Sequence, residues 1–242
     1  MVRTIIITGA SRGIGRAAAL RLSKNQDRLF LACRQNEALL LETAALCREN
    51  GADVRTFLGD LSDPAECVRL VRACEAAFGT PDALVNNAGI SRVTLFQEST
   101  ADALSEIIGA NLSSMVNLTR EAVKGMIRQH SGKIINISSV FGIYGGSMEV
   151  EYSLTKGGVN AFTKALAKEL APSGITVNAI APGAIDTEMN QNLSTEERRA
   201  LEEEIPMGRF GTAEECADLI ALLLDAPEYL TGEVIEMTGG WA

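Results

Sequence analysis

Tyr152 and Lys156 stand four residues apart, a spacing that puts both side chains on one face of a helix. An ammonium close to a phenol favours its ionised form, so such a pair can move a proton near neutral pH. Ser138 and Ser139 follow a strand-like run at 133–137, which delivers Ser139 to the same place from a strand end. Its hydroxyl can bond the oxygen that Tyr152 would protonate. The three read as a proton donor, an electrostatic tuner and a carbonyl-orienting hydroxyl. Tyr-x-x-x-Lys alone also describes an ordinary helix with a half-buried tyrosine and a solvated lysine, so the surrounding chain has to decide.

The elements that must position these groups begin with residues 2–8, a β-branched run bounded by Gly9, as in a buried parallel strand. Thr8-Gly9-Ala10-Ser11-Arg12-Gly13-Ile14-Gly15 leads from it into helical spacing over 16–24. A glycine-rich turn between a first strand and a first helix offers backbone N–H groups and a helix N-terminus to a pyrophosphate. Gly9 permits the turn, Gly13 the approach of a ligand, and Gly15 the packing of helix on strand. A second strand at 29–33 ends at Arg34, where dinucleotide folds meet the adenosine ribose; a base there suits a 2′-phosphate. Arg34 and Arg12 can both fork onto phosphate oxygens, which points to NADP(H).

The spacing further predicts a helix over 37–50, a strand over 54–58, and a helix that starts at Asp63-Pro64 and runs to Phe78. Asp60, between strand and helix, suits an adenine amino group, a helix cap or a solvated loop. A fourth strand over 83–85 leads to Asn86-Asn87-Ala88-Gly89, and one long helix is expected over 100–126. Asn111 interrupts that helix, and a local rule broken inside a strong element often marks function. The tyrosine helix over 151–170 precedes a sixth strand over 175–180, which Ala181-Pro182-Gly183 should break. Residues 185–210 have the length and polarity of a mobile lid, although the run Glu196-Glu197-Arg198-Arg199 equally suits a solvated helix face. A last helix over 212–224 and a strand over 234–237 close the chain.

This alternation predicts one α/β domain over 1–242: a Rossmann-type, doubly wound parallel sheet of about seven strands with helices on both faces. In such sheets ligands lie beyond the carboxyl ends of the strands. Gly9 to Gly15, Arg34, Asp60, Asn87, Ser139 and Pro182-Gly183 all follow strands and should meet on one rim.

Composition narrows the chemistry. The chain has 242 residues, 46% hydrophobic, a net charge of −9 and a single histidine. An acidic pI near 4.8 argues against a nucleic-acid partner. No apolar run approaches the roughly 18 residues that span a bilayer, and no leader pattern opens the chain, so a cytoplasmic protein is expected. Five cysteines without a C-x-x-C pair, and one histidine in the polar turn Gln129-His130-Ser131-Gly132, leave no zinc-type cluster and no histidine-based nucleophile. Cys67 and Cys74 suit the core side of one helix.

In order along the chain stand Thr8-Gly9-x-x-x-Gly13-x-Gly15, Asn86-Asn87-Ala88-Gly89, Asn111, Ser139, Tyr152-x-x-x-Lys156 and Pro182-Gly183-x-x-x-Thr187. With these motifs the chain resembles the short-chain dehydrogenase/reductase family over essentially its whole length. Its strings are most similar to the branch that reduces 3-oxoacyl thioesters of an acyl carrier protein in fatty acid biosynthesis. The resemblance implies that Tyr152 is the general acid, Lys156 lowers its pKa and holds the nicotinamide ribose, Ser139 orients the carbonyl, and Asn111 supports a proton-relaying water. It implies further that Gly9, Ser11, Arg12, Gly13, Ile14 and Gly15 cradle the cofactor. Asp60 and Leu61 would meet the adenine, and Asn87, Ile185 and Thr187 the adenosine ribose and carboxamide.

A homotetramer is implied too, packed through the helices of Asn111 and Tyr152, with Leu112, Met115, Val116, Ala161, Phe162 and Leu166 suited to a core or an interface. Two departures touch the carrier protein: His130 and Ser173 stand where members that dock one often carry bases, with Arg128 near the first. Competing implications are an NADP-linked alcohol or sugar dehydrogenase and a non-catalytic, cofactor-sensing protein. The retained Ser139, Tyr152 and Lys156 speak against the sensor.

Overall fold

A computed structural model describes residues 2–191 and 193–241. The chain runs β1 (Thr4–Thr8), α1 (Gly13–Ser23), β2 (Arg28–Cys33), α2 (Glu37–Glu49), β3 (Asp53–Leu58), α3 (Pro64–Phe78) and β4 (Ala83–Asn86). It continues through α4 (Ala101–Ile108), a π-helical turn (Gly109–Ser113), α5 (Ser114–Gln129), β5 (Gly132–Ile137), a short α6 (Phe141–Tyr144) and α7 (Val150–Leu170). Then come β6 (Ile175–Pro182), β7 (Ile185–Asp186), α8 (Thr195–Glu204), β8 (Gly211–Thr212), α9 (Ala213–Asp225) and β9 (Val234–Met237).

Seven strands form one all-parallel sheet in the order β3-β2-β1-β4-β5-β6-β9. The order turns round between β1 and β4, which opens a crevice at their carboxyl ends. Alternation along a strand explains the two cores. Ile5 and Ile7 of β1 face the layer of α1, α2 and α9, while Ile6 faces that of α3, α5 and α7. Strands covered on both faces must be apolar throughout, and β1 is buried at every position. Cys67 and Cys74 are fully buried in the second core, as their spacing predicts.

Two elements differ from the expected outline. The long helix is three pieces, because Asn111 sits in a π turn with its side chain buried among polar partners. β6 runs on through Ala181 to Pro182. Its partner β5 stops at Ile137, opposite Ile180, so the missing proline N–H removes no bond on that side.

Residues 185–210 carry a small apolar core of their own. Ala184, Ile205 and Phe210 are buried together, with Leu193, Leu201 and Trp241 packed around them. β7 and β8 pair as a two-stranded ribbon that clips both ends of the segment. Between them α8 starts in a Ser194/Glu197 capping box, and Arg198 forks onto Asp186 at 2.9 and 3.0 Å while covering the Phe210 ring. The charged run is the solvated face of α8, none of whose residues is buried. Among the residues suited to either core or interface, Met115 lies in the chain's own interior, whereas Ala161 is exposed. Among the described residues no helix is long and apolar enough to cross a membrane.

Candidate active site

The glycine turn is built by close contacts. Gly9 and Gly13 adopt φ of +65° and +52°, a region that L side chains rarely enter. A Cβ on Gly15 would collide with the Gly9 carbonyl and the Asn87 amide. Asn87 holds the turn to the end of β4: its Nδ2 donates to the carbonyls of Thr8 at 2.9 Å and Gly9 at 3.2 Å. Thr8 Oγ1 in return accepts from the backbone N–H groups of Asn87 and Ala88, both at 3.0 Å. The first turn of α1 has no side-chain cap and no acidic residue, so its N–H groups stay available to an anion.

The turn opens into a cleft of about 570 Å³. Every residue expected at the site lines this cleft except Gly15, which is packed beneath the turn, and Asn111, which stands behind the wall. At one end Arg34 lies 4.0 Å from Asp60 and 3.7 Å from Glu106, a loose pairing on the surface. Arg12 is exposed at the head of α1. Asp60 Oδ1 accepts from the Ser62 N–H at 3.0 Å. Although burial pushes its pKa up, the bonds from Ser62 and the charge of Arg34 hold Asp60 below its ordinary value. The α3 cap is Asp63, whose Oδ1 accepts from Ala65 N at 2.8 Å. Of the three readings open for Asp60, the cap therefore falls away.

At the other end the two serines divide their work. Ser138 Oγ is committed to structure, bonded to Asn160 Oδ1 at 2.6 Å. Ser139 Oγ accepts from Phe141 N at 3.2 Å, and both Ser139 and Tyr152 line the cleft. Tyr152 and Lys156 lie on one face of α7, only 8% and 4% exposed. Lys156 Nζ sits 5.5 Å from the centre of the Tyr152 ring and donates to the Ile137 carbonyl at 2.7 Å.

Burial acts on both groups in the direction of their neutral forms. It lowers Lys156 to about 8. It raises Tyr152 above its ordinary value, helped by the negative charge of Glu149 and opposed by the polar Ser139 side chain. The balance differs from the expected downward pull of an ammonium on the phenol: here burial is the largest influence, and the phenol keeps its proton. Asn111 stands close behind. A Cβ on Gly89 would lie 3.2 Å from Asn111 Oδ1 and 3.6 Å from Lys156 Nζ, so a bare glycine separates the amide from the amine.

Three residues near the site have no prominent sequence motif. Asn160 anchors Ser138, and the Ser91 hydroxyl donates to the Glu149 carboxylate at 2.9 Å. The position of Glu149, one turn before Tyr152, is the only clue the sequence carries. His130 forms the left-handed end of α5 on the surface, and Arg128 pairs with Glu75 at 3.5 Å.

A parallel sheet with its crevice at the β1/β4 switch, a glycine turn on the first helix and a Ser/Tyr/Lys cluster across the cleft define a dinucleotide-dependent oxidoreductase. A family model described as short chain dehydrogenase matches residues 3–198, and the chain belongs to that family of NAD(P)-dependent oxidoreductases. It is 38% identical over 237 residues to the 3-oxoacyl-[acyl-carrier-protein] reductase FabG of Escherichia coli (strain K12), covering 97% of this chain and 95% of the relative. To the FabG of Staphylococcus aureus (strain Mu50) it is 36% identical over 241 residues, 99% of this chain and 98% of the relative.

Proposed function

We propose that the protein reduces a ketone with NADPH, and that the ketone is a 3-oxoacyl thioester. The observation that carries this reading is the meeting of Ser139, Tyr152 and Lys156 in the cleft whose far end is the glycine turn. The thioester is supported by the likeness, over nearly the whole chain, to reductases named for 3-oxoacyl-[acyl-carrier-protein].

The backbone of Gly9–Gly15 and the open end of α1 would hold the pyrophosphate, with Asp60 and Leu61 toward the adenine. Asn87, Ile185 and Thr187 complete the cradle toward the ribose and carboxamide. Arg34 and Arg12 are assigned to the 2′-phosphate, which makes NADPH the preferred form. The bound dinucleotide supplies the hydride. Tyr152, kept protonated by burial, gives its proton to the carbonyl oxygen, and Ser139 orients that oxygen. Lys156 holds the nicotinamide ribose and, once charged, eases the proton off the phenol. Asn111 belongs to the relay that restores it, next to the amine. Residues 185–210 act as the lid, hinged where β7 and β8 pair.

The working form is a homotetramer in the cytoplasm, built on α5 and α7. An acyl carrier protein is the candidate macromolecular partner, with Arg128 the nearest base to His130 and Ser173. The test follows NADPH and NADH absorbance with an acetoacetyl thioester and a panel of alcohols, sugars and ketones. Oxidation of NADPH by the thioester, lost in Tyr152→Phe while the dinucleotide still binds, is the expected result. Near-normal turnover in Tyr152→Phe, or no oxidation with any ketone, overturns the reading.

A further inference from the structure

Glu149 occupies the N-cap position of α7, where a carboxylate ordinarily accepts from the helix's own first N–H groups; its side chain caps nothing. Instead Oε2 accepts from the Ser91 hydroxyl at 2.9 Å, and Ser91 lines the cleft beside Tyr152. Oε1 has no hydrogen-bond partner, and no cation stands within ion-pair distance of this carboxylate, among the described residues. The neighbouring charges are taken elsewhere. Arg92, next to Ser91, pairs with Glu106, and Glu151 accepts from Ser99 at 2.6 Å.

Val93, Leu95, Phe96, Met148 and Val150 are exposed on the two segments, which are joined by the Thr94 N–H to Met148 carbonyl bond at 2.8 Å. Glu149 itself is half-buried, and a charge partly withdrawn from water is less screened than one in open water. Two consequences are visible already. Burial lifts the Glu149 carboxyl above its ordinary value against the opposing Ser91 bond, and its charge contributes to holding the Tyr152 phenol up.

We infer that Glu149 is a specificity-determining residue: its uncompensated carboxylate, bonded to Ser91 at the side of the cleft, sets the charge accepted next to the reacting carbonyl. Ketones that are neutral or cationic near the carbonyl enter; those carrying a carboxylate there are repelled. The inference rests on the carbonyl-reducing reading and sharpens it, because a thioester is neutral where the corresponding free 3-oxo acid is anionic. Glu149 would then separate the esterified acyl group from the free acid.

The probes are acetonyltrimethylammonium, ethyl acetoacetate and acetoacetate, compared by kcat/KM with NADPH. Their binding to the NADPH-loaded enzyme is measured separately by calorimetry, which needs no turnover. The wild type should rank them cation, neutral, anion. Glu149→Gln should compress the cation-to-anion ratio by on the order of tenfold or more, and Glu149→Asp, which keeps the charge, should keep the order. Reduction of ethyl acetoacetate with an unchanged ratio in Glu149→Gln overturns the inference and leaves the reductase reading intact. The charge ranking in calorimetry without reduction of any ketone does the reverse. A wild type that neither binds nor reduces the three overturns both.

Discussion

Asn111 and Ile90 exchange two hydrogen bonds, the Ile90 N–H donating to Oδ1 at 2.7 Å and Nδ2 donating back to the Ile90 carbonyl at 2.8 Å. The same amide donates to Thr155 Oγ1 at 3.1 Å, whose hydroxyl donates to the Tyr152 carbonyl at 2.8 Å. One side chain in a π turn thus ties the loop after β4 to the helix that carries Tyr152. Asn111→Ala leaves the half-buried Ile90 backbone groups and the Thr155 hydroxyl short of partners. A loss of about 2–4 kcal/mol in urea unfolding is expected, together with a fall in kcat of about tenfold or more as Tyr152 loses its placement. A stable variant with unchanged kcat would remove both roles.

Gly15 makes the second prediction. A methyl group added there would overlap the Gly9 carbonyl and the Asn87 amide, so it must push the turn apart. Gly15→Ala should weaken dinucleotide affinity by about tenfold or more while the far end of the sheet keeps its unfolding behaviour. Fluorescence titration with NADPH reads the first effect and hydrogen exchange in β6 the second. Gly79, which has a positive φ but open space around the point an added methyl would occupy, is the control for backbone strain alone.

The proposed preference for NADPH rests on Arg34, whose only counter-charges among the described residues are the distant acids Asp60 and Glu106. Phosphate offers Arg34 a shorter, forked pairing than either acid makes. Arg34→Asp should lower the NADPH-to-NADH ratio of kcat/KM by about a hundredfold, since it removes an attraction and adds a repulsion. Steady-state rates with both dinucleotides decide it, and an unmoved ratio would assign the discrimination to Arg12 or to neither.

The rim of the sheet was legible because it depends on local patterns. β-branched runs bounded by glycine marked the strands, and Gly9 to Gly15, Arg34, Asp60, Asn87 and Ser139 each followed one. Even the interruption at Asn111 could be read, since an asparagine inside a strong helix is locally costly. What could not be read were relationships across the chain. Nothing local says that the Asn87 amide faces the glycine turn, or that Ser138 and Ser139 part company because Asn160 waits on α7. The β7/β8 ribbon is two residues per strand, below any periodic signal, and the weight of Glu149 on Tyr152 depends on burial. The same burial reverses the simple expectation for Tyr152 and Lys156, since desolvation outweighs a neighbouring charge once water is excluded.

Burial of Lys156 therefore leaves a mark on stability that needs no substrate to observe. Its value in the fold is about 8, against 10.5 for an ordinary lysine, so between these limits the unfolded chain binds the extra proton. Raising the pH through this window favours the folded state, by ~3 kcal/mol if each pH unit of separation counts about 1.4 kcal/mol. The buried thiols act in the opposite sense. Cys47 is raised to about 11 and Cys74 to about 12, so the unfolded chain loses those protons first and stability falls as the pH climbs past 9. The phenol of Tyr152, also raised, adds to that fall above 10. The lysine contribution is isolated by comparing the wild type with Lys156→Met in urea at a series of pH values, without dinucleotide. Thiols and phenol largely cancel in the difference, and the wild type should gain on the variant between pH 8 and 10. A difference that stays flat across that range would mean that the amine is solvated in the free protein, and with it would go the proposed role of Lys156 beside Tyr152.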